Sequence, residues 1–162
     1  MKHGQSHSTE VGSHRVILYN APSEIERALG SFCFNGYSQE KKLLFIYDRL
    51  TLVDLQRAIE PYGMNLEELR RSGWIEVASV RDTYSRDGVL DLERMAKELE
   101  EKTREALDSG FEGLCVAGEG SWIFDESFDA AKMVEYESKM DEFISENPLD
   151  ACCIYDTSIV NK

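Results

Sequence analysis

The sequence predicts an α/β fold, a three-layer, mainly parallel sheet of about five strands with helices on both faces. Short runs of β-forming apolar residues alternate along the chain with longer segments whose apolar residues recur every three or four positions. Residues 41–48 read KKLLFIYD, an almost unbroken apolar run that is typical of a strand covered on both faces. This alternation implies right-handed crossovers between parallel strands.

Five strands are predicted in the order β-α-β-α-β-α-β-α-β. They are expected at HRVILY (14–19), KKLLFIYD (41–48), WIEVASV (74–80), GLCVAG (113–118) with Glu119 at its end, and ACCIYD (151–156). Residues 81–90, with Tyr84 in the middle, are expected to form a loop. No linker or repeat divides the chain, so we expect a flexible polar tail over 1–13 and one domain over 14–162.

Each predicted helix has a start or a stop signal. Pro22 opens the first helix, and Thr51 is a plausible N-cap for the second, which Pro61 should end early. A short LEELRR turn of helix follows. The third long helix begins at Asp91 and stops at Ser109-Gly110, and the fourth spans about 129–146.

Charge and cysteine usage narrow the class of protein. The 162 residues carry 31 Asp+Glu against 18 Lys+Arg, a net charge of −13, which disfavours nucleic acid and anionic membranes as direct partners. Cys33, Cys115, Cys152 and Cys153 form no C-x-x-C pair, and the last two should point to opposite faces of a strand. No apolar run approaches the ~20 residues that span a bilayer. We therefore expect a cytoplasmic protein in a reducing compartment.

The usual catalytic motifs are missing from the sequence. Residues 20–30 read NAPSEIERALG, without the lysine and the glycines of a phosphate-binding loop, and no G-x-G-x-x-G follows the first strand. A Ser-His-Asp triad would have to use His14, since His3 and His7 lie in the tail, where a metal-binding role is not expected. A non-catalytic role is therefore favoured.

Acidic and aromatic residues stand at the ends of the predicted strands, so they should gather at one edge of the parallel sheet. Ligands of doubly wound sheets bind at that edge. Glu119 has a glycine on either side, which leaves its carboxylate little cover from its nearest neighbours. Other interpretations stay open: Asp48 could simply cap the next helix, His14 could be a structural histidine at the opposite edge, and Glu137, beside Tyr136, could belong to a solvated charged face.

Several short motifs occur in an order that resembles the MEDS domain, a sensory domain named from methanogens, methylotrophs and the dichloromethane regulator. They are H-x4-Y (14–19), FCFNGYSQEKKLLFIYD (32–48), the LEEL-containing segment 63–73, the Tyr84 loop, G-x-x-G-L-x-V-x-GE-x-x-W (110–122), YE (136–137) and C-x-YD (153–156). The same segments resemble KaiC-type RecA ATPases without the Walker A loop, with Asp48 and Glu119 near their acidic positions. Cys115 departs from the family pattern, where arginine is more frequent.

The resemblance implies a sensor of small organic molecules, such as hydrocarbon derivatives, that acts on a signalling or transcription-regulating partner protein. Separately, we expect the chain to need no cofactor or metal. The residues expected to bind the ligand are His14, Tyr19, Asp48, Tyr84, Glu119, Trp122, Glu137, Tyr155 and Asp156. One alternative is a residual RecA-like enzyme that holds nucleotide or Mg²⁺ through Asp48 and Glu119. Another is a pure protein-interaction module with a basic partner. The sequence also leaves open whether the chain forms a homo-oligomer.

Overall fold

A computed structural model describes residues 12–83, 92–121 and 130–159. Five strands form one sheet in the spatial order β1-β5-β4-β2-β3, and every neighbouring pair is parallel. The strands are β1 His14–Tyr19, β2 Lys42–Tyr47, β3 Ile75–Ser79, β4 Leu114–Glu119 and β5 Leu149–Asp156. The predicted α/β class and the number of strands are therefore confirmed.

Within the described ranges, six helices and two 3₁₀ turns accompany the strands. The helices are α1 Pro22–Ser38, α2 Leu52–Ile59, α3 Leu66–Arg71, α4 Val80–Thr83, α5 Leu92–Asp108 and α6 Ala130–Glu146, and the 3₁₀ turns lie at Glu60–Tyr62 and Thr157–Ile159. Thr51 caps α2 as predicted, because its Oγ1 accepts the N–H of Asp54 at 3.2 Å. The helix gives way to a 3₁₀ turn at Glu60, next to Pro61.

The first residues of the loop predicted over 81–90 are helical instead. Val80–Thr83 forms the short helix α4. Ser79 stabilises it, since its Oγ accepts the N–H of Asp82 at 3.2 Å and its carbonyl accepts the hydroxyl of Thr83 at 3.0 Å. Residues 84–90 of the predicted loop, with Tyr84, lie outside the described residues.

The two faces of the sheet carry separate apolar layers. Helices α1, α2 and α3 pack on one face, where Leu29 and Leu55 meet Phe45 of β2. Helices α5 and α6 pack on the other, where Leu99 and Met140 join the opposite side chains of the strands. Cys152 lies in the first layer and Cys153 in the second, as the alternation along β5 requires. All four cysteines are buried free thiols.

Gly30 lets α1 lie directly against α2. A Cβ at this position would be 2.0 Å from the carbonyl oxygen of Ala58, so no larger residue fits without a shift of the helix backbone. At the start of the domain, the N–H of Ser13 donates to Asp150 Oδ1 at 2.7 Å, so Ser13, expected in the tail, is bound to β5. Within the described ranges, none of the helices has the length and apolar character that a membrane span needs.

Candidate functional site

The carboxyl ends of β1, β2 and β4 meet at the carboxylate of Glu119. Glu119 is the last residue of β4 and is 1% exposed. Its Oε2 accepts the backbone N–H groups of Asp48 and Leu50, the latter at 3.0 Å, and its Oε1 accepts the hydroxyl of Tyr19 at 3.2 Å. One carboxylate therefore holds the loop after β2 and the end of β1 against β4.

Glu119 is covered, but not by its neighbours in sequence. The loop after β2 and the hydroxyl of Tyr19 enclose its carboxylate, and the ring of Tyr155 packs against Gly120. Burial raises the pKa of the Glu119 carboxyl, and the two N–H donors oppose this shift. Burial, together with the nearby charge of Glu119, also raises the pKa of the Tyr19 phenol, which therefore stays protonated and donates.

Above this buried network lies an ion pair that is more open to solvent. Arg49 Nη1 is 3.4 Å from Asp156 Oδ2, and the two side chains are 51% and 12% exposed. The N–H of Ser158 donates to Asp156 Oδ1 at 2.9 Å. Burial alone would raise the pKa of Asp156, but the Ser158 hydrogen bonds and the Arg49 charge outweigh it and hold the pKa below the usual value. The pair joins the loop after β2 to the end of β5.

The N-terminus of α1 is occupied by an acid of the chain itself. Glu24 Oε2 accepts the backbone N–H of Asn20 at 2.8 Å and that of Ala21 at 3.3 Å. In phosphate-binding loops the N–H groups at this place in the fold face the phosphate. Here a phosphate would instead meet the negative charge of Glu24.

A second polar cluster lies on the α6 face of the sheet. His14 Nε2 is 2.7 Å from Glu137 Oε2 and 3.4 Å from Cys153 Sγ, and His14 Nδ1 is 2.5 Å from Asp141 Oδ1. The hydroxyl of Tyr155 donates to the other oxygen of Glu137. The cluster joins the beginning of β1, the middle of α6 and the end of β5.

Burial and charge act on the titrating groups of this cluster in different directions. The hydrogen bond with Glu137 raises the pKa of His14; burial opposes this, and Asp141 adds to it. Burial raises the pKa of the Cys153 thiol well above its usual value and also raises that of the Tyr155 phenol. Without a further positive charge, Cys153 and Tyr155 are therefore neutral at physiological pH.

The residues predicted to bind a ligand thus fall into two groups. Tyr19, Asp48, Glu119 and Asp156 lie at the carboxyl edge of the sheet, and His14, Glu137 and Tyr155 lie in the cluster on the α6 face. Tyr84 and Trp122 lie outside the described residues.

Sequence reasoning missed three polar residues: Arg49, Cys153 as a partner of His14, and Asp141. The spacing of Asp141, four residues after Glu137 and so on the same face of α6, was a usable signal.

A small polar groove lies at the opposite, amino edge of the sheet. It has a volume of about 110 Å³, and Arg15, Asn35, Gln39 and Asp150 contribute to its lining. Ligand pockets for drug-sized molecules usually enclose roughly 300–1,000 Å³, so this groove is small for such a ligand. Cys115 also lines it, but that side chain is 2% exposed and its thiol lies 3.8 Å from the carbonyl oxygen of Phe32.

The fold and the polar groups together define a doubly wound α/β domain whose acids gather at the carboxyl ends of its strands. The chain belongs to the MEDS family, because the family model described as the MEthanogen/methylotroph, DcmR Sensory domain matches residues 13–162. The resemblance drawn from the sequence is confirmed, and the chain is a member of a family of sensory domains. No curated protein matches the sequence.

Proposed function

We propose that this sensory domain binds a small organic ligand at the carboxyl edge of its sheet and signals the bound state to a partner protein. The observation that supports this proposal best is the network around Glu119, which joins β1, β4 and the loop after β2. A ligand that contacts Asp48 or Arg49 would touch the loop that Glu119 holds, and one that contacts Asp156 would touch the end of β5, which pairs with both β1 and β4. Its binding would therefore affect the relative positions of several strands at this edge of the sheet.

The surface of this edge favours a ligand with a polar group. Asp48 is exposed and Arg49 is half-exposed, whereas Asp156 is largely buried and Tyr19 is fully buried. A guanidinium and two carboxylates can orient a hydroxyl, carbonyl or carboxylate of a small molecule. Tyr84 and Trp122 remain predicted aromatic contributors to the same site.

The geometry is less favourable to the alternative of a residual nucleotide- or Mg²⁺-dependent enzyme. Glu24 fills the position at the start of α1 where a phosphate would bind. Glu119 already accepts three hydrogen bonds and is buried, so Asp48 would have to hold a metal without it. Any such activity would need groups other than the ones expected from the sequence.

Thermal unfolding of the purified chain with a panel of small organic molecules, and separately with Mg-ATP, tests the proposal. A ligand at 100 times its Kd adds about 2.7 kcal/mol to the free energy of unfolding, which raises the midpoint by roughly 5–10 °C for a protein of this size. Arg49→Ala should weaken binding of an active compound at least about tenfold, because a charged hydrogen bond is lost.

Arg71→Ala is the matched control, since Arg71 is 73% exposed on α3, just before the amino end of β3. Unchanged affinity in Arg49→Ala and Asp156→Asn would refute the site. A shift with Mg-ATP alone would support the enzyme alternative. If no compound shifts the midpoint while a basic partner protein binds the acidic surface, the chain is an interaction module instead.

A further inference from the structure

Three potential metal-binding atoms converge on the α6 face of the sheet. They are Nε2 of His14, a carboxylate oxygen of Glu137 and Sγ of Cys153, and all lie within 4.8 Å of one another. They come from β1, α6 and β5, and β1 and β5 are hydrogen-bonded neighbours with Val16 opposite Cys153. The sheet therefore fixes two of the three groups relative to each other.

We propose that His14, Glu137 and Cys153 form a Zn²⁺-binding site with a fourth position open to water or to a small ligand. This goes beyond the proposed function, because the site lies on the α6 face and uses none of Asp48, Arg49 and Asp156, where the organic ligand is proposed to bind. It also differs from the expectation, drawn from the sequence, that the chain holds no metal.

The distances fit a contracted tetrahedral site. Zn–N, Zn–O and Zn–S bonds of about 2.0–2.3 Å place the ligand atoms of a tetrahedron roughly 3.3–3.8 Å apart. The 3.4 Å between His14 Nε2 and Cys153 Sγ lies in this range. The 2.7 Å between His14 Nε2 and Glu137 Oε2 would have to increase by about half an ångström, which a small rotation of the Glu137 side chain achieves.

Glu137 Oε2 has a donor in only one protonation state of its neighbour. This atom is buried, and among the described residues it receives a hydrogen bond only when Nε2 of His14, 2.7 Å away, is protonated. A buried carboxylate oxygen without a donor is costly unless a cation or a proton approaches it. A metal ion placed between Oε2, Nε2 and Sγ supplies that positive charge.

The surrounding contacts are those that usually orient metal ligands. Metal-binding histidines commonly donate their second ring N–H to a carboxylate, and Asp141 Oδ1 lies 2.5 Å from His14 Nδ1. This hydrogen bond would leave the lone pair of Nε2 facing Glu137 and Cys153. The hydroxyl of Tyr155 donates to the remaining oxygen of Glu137, which fixes the plane of that carboxylate.

The set of donor atoms selects the metal. A thiolate with an imidazole and one carboxylate suits Zn²⁺, whereas Mg²⁺ and Ca²⁺ prefer oxygen atoms alone. Three protein ligands and one open position are typical of zinc sites that exchange a water molecule. The side chains of His14 and Glu137 are 10% and 14% exposed, so solvent reaches the edge of the site.

Titration of the chelator-treated full chain with Co²⁺, followed by Zn²⁺, tests the site. We expect saturable binding of one Co²⁺ with thiolate-to-cobalt charge-transfer absorption, which Zn²⁺ then abolishes by displacement. The thiolate band separates this site from the histidines of the N-terminal segment, His3 and His7, which cannot produce it. Absence of the band at saturating Co²⁺ would overturn the proposal.

Matched variants assign the band to these residues. Cys153→Ser should remove it, whereas Cys152→Ser, the adjacent cysteine on the other face of β5, should keep it. Glu137→Gln should weaken Co²⁺ binding at least tenfold, and exposed Glu135→Gln should not. Asp141→Asn, which changes only the partner of the ring, should weaken binding by about 10–100-fold.

Circular dichroism of each variant controls for folding. If Cys153→Ser does not fold, the comparison of Glu137→Gln with Glu135→Gln still decides. Equal Co²⁺ affinities in these two variants, or a thiolate band that depends on Cys152 rather than Cys153, would refute the site. The organic-ligand titration is read separately, so one proposal can fail without the other.

Discussion

At the scale of single residues, two acids with little solvent exposure differ in what neutralises them. Glu119 accepts hydrogen bonds from two backbone N–H groups and a phenol, and burial raises its pKa. Asp150 pairs with the buried Lys41 and accepts two hydrogen bonds from Ser13. A carboxylate therefore holds neighbouring elements together at each edge of the sheet. Glu119 does so through neutral donors, and Asp150 does so with the Lys41 ammonium.

Replacement of Glu119 should cost stability in a graded way. Glu119→Ala leaves three donors without their acceptor, so we expect a loss of about 2–4 kcal/mol in the free energy of unfolding. Glu119→Gln keeps one oxygen for the backbone N–H groups and should cost less. Tyr19→Phe removes a single hydrogen bond and should cost about 1 kcal/mol. Urea unfolding measures all three, and a smaller loss for Glu119→Ala than for Tyr19→Phe would contradict the network.

Asp150 gives a prediction about pH. Burial alone would raise its pKa, but hydrogen bonds from Lys41 and Ser13 outweigh it and lower the pKa below the ordinary value of 3.8. An acid whose folded-state pKa is depressed stabilises the fold above its unfolded pKa, and this contribution is lost as the pH falls through the folded value.

Asp150→Asn should therefore destabilise the protein by ~3 kcal/mol at pH 7, since it leaves the Lys41 ammonium buried and unpaired. The difference from the unsubstituted chain should shrink as the pH falls below about 4. Urea midpoints at several pH values measure it. Asp108→Asn, at an exposed position of α5, should stay within about 0.5 kcal/mol. A difference that grows in acid would contradict the assignment.

At the scale of helices and strands, the contact of α1 with α2 depends on the missing side chain of Gly30. Gly30→Ala would place a Cβ 2.0 Å from the Ala58 carbonyl oxygen, a backbone atom that cannot rotate away. We expect a loss of about 2–3 kcal/mol from overpacking, although alanine is the better helix former. Ser31→Ala, on the next position of α1, should be neutral or slightly stabilising. Thermal unfolding measures the midpoints of both variants. Equal midpoints would contradict the prediction, because α1 and α2 would then accommodate the added methyl group without loss of stability.

Most elements could be predicted from local sequence because local chemistry determines their ends. Pro22 and Thr51 begin helices where they were expected, and an α-helix stops at Ile59 beside Pro61. The alternation of Cys152 and Cys153 across β5 needs only the period of a strand. The exception is α4, which depends on hydrogen bonds of Ser79 and Thr83. Residues of these types form similar hydrogen bonds in loops, so the sequence does not predict the helix.

The contacts of the two polar clusters could not be predicted, because they join residues that are distant in sequence. Cys153 and His14 are 139 residues apart, and their contact depends on β1 pairing with β5 rather than with β2. Glu119 has no covering residue next to it in sequence, and its cover comes from another strand and a loop. The sequence indicated the residue types and the edge, while the strand order decided which of them meet.

At the scale of the whole molecule, the net charge of −13 opposes the compact state, because like charges are brought closer together on folding. Added salt screens this repulsion. We therefore expect the thermal midpoint to rise by a few degrees between low and moderate NaCl. A double variant, Glu100→Lys with Glu105→Lys, adds two charges per substitution and brings −13 to −9 at exposed positions of α5.

This double variant should respond less to salt than the unsubstituted chain. The measurement is the slope of the midpoint against NaCl concentration for both proteins. Equal slopes, or a midpoint that falls with salt in the unsubstituted chain, would show that surface repulsion does not limit stability.

The position of β1 at the edge of the sheet also sets an order of events in folding. Among the described strands β1 pairs only with β5, with His14 opposite Ala151. During synthesis β1 therefore has no neighbour until residues 149–156 have been made, and such distant pairing is slow. The proposed zinc site, divided between β1, α6 and β5, can assemble only at this last step. Metal would then bind and stabilise the folded domain but not chains in which β5 has yet to be made.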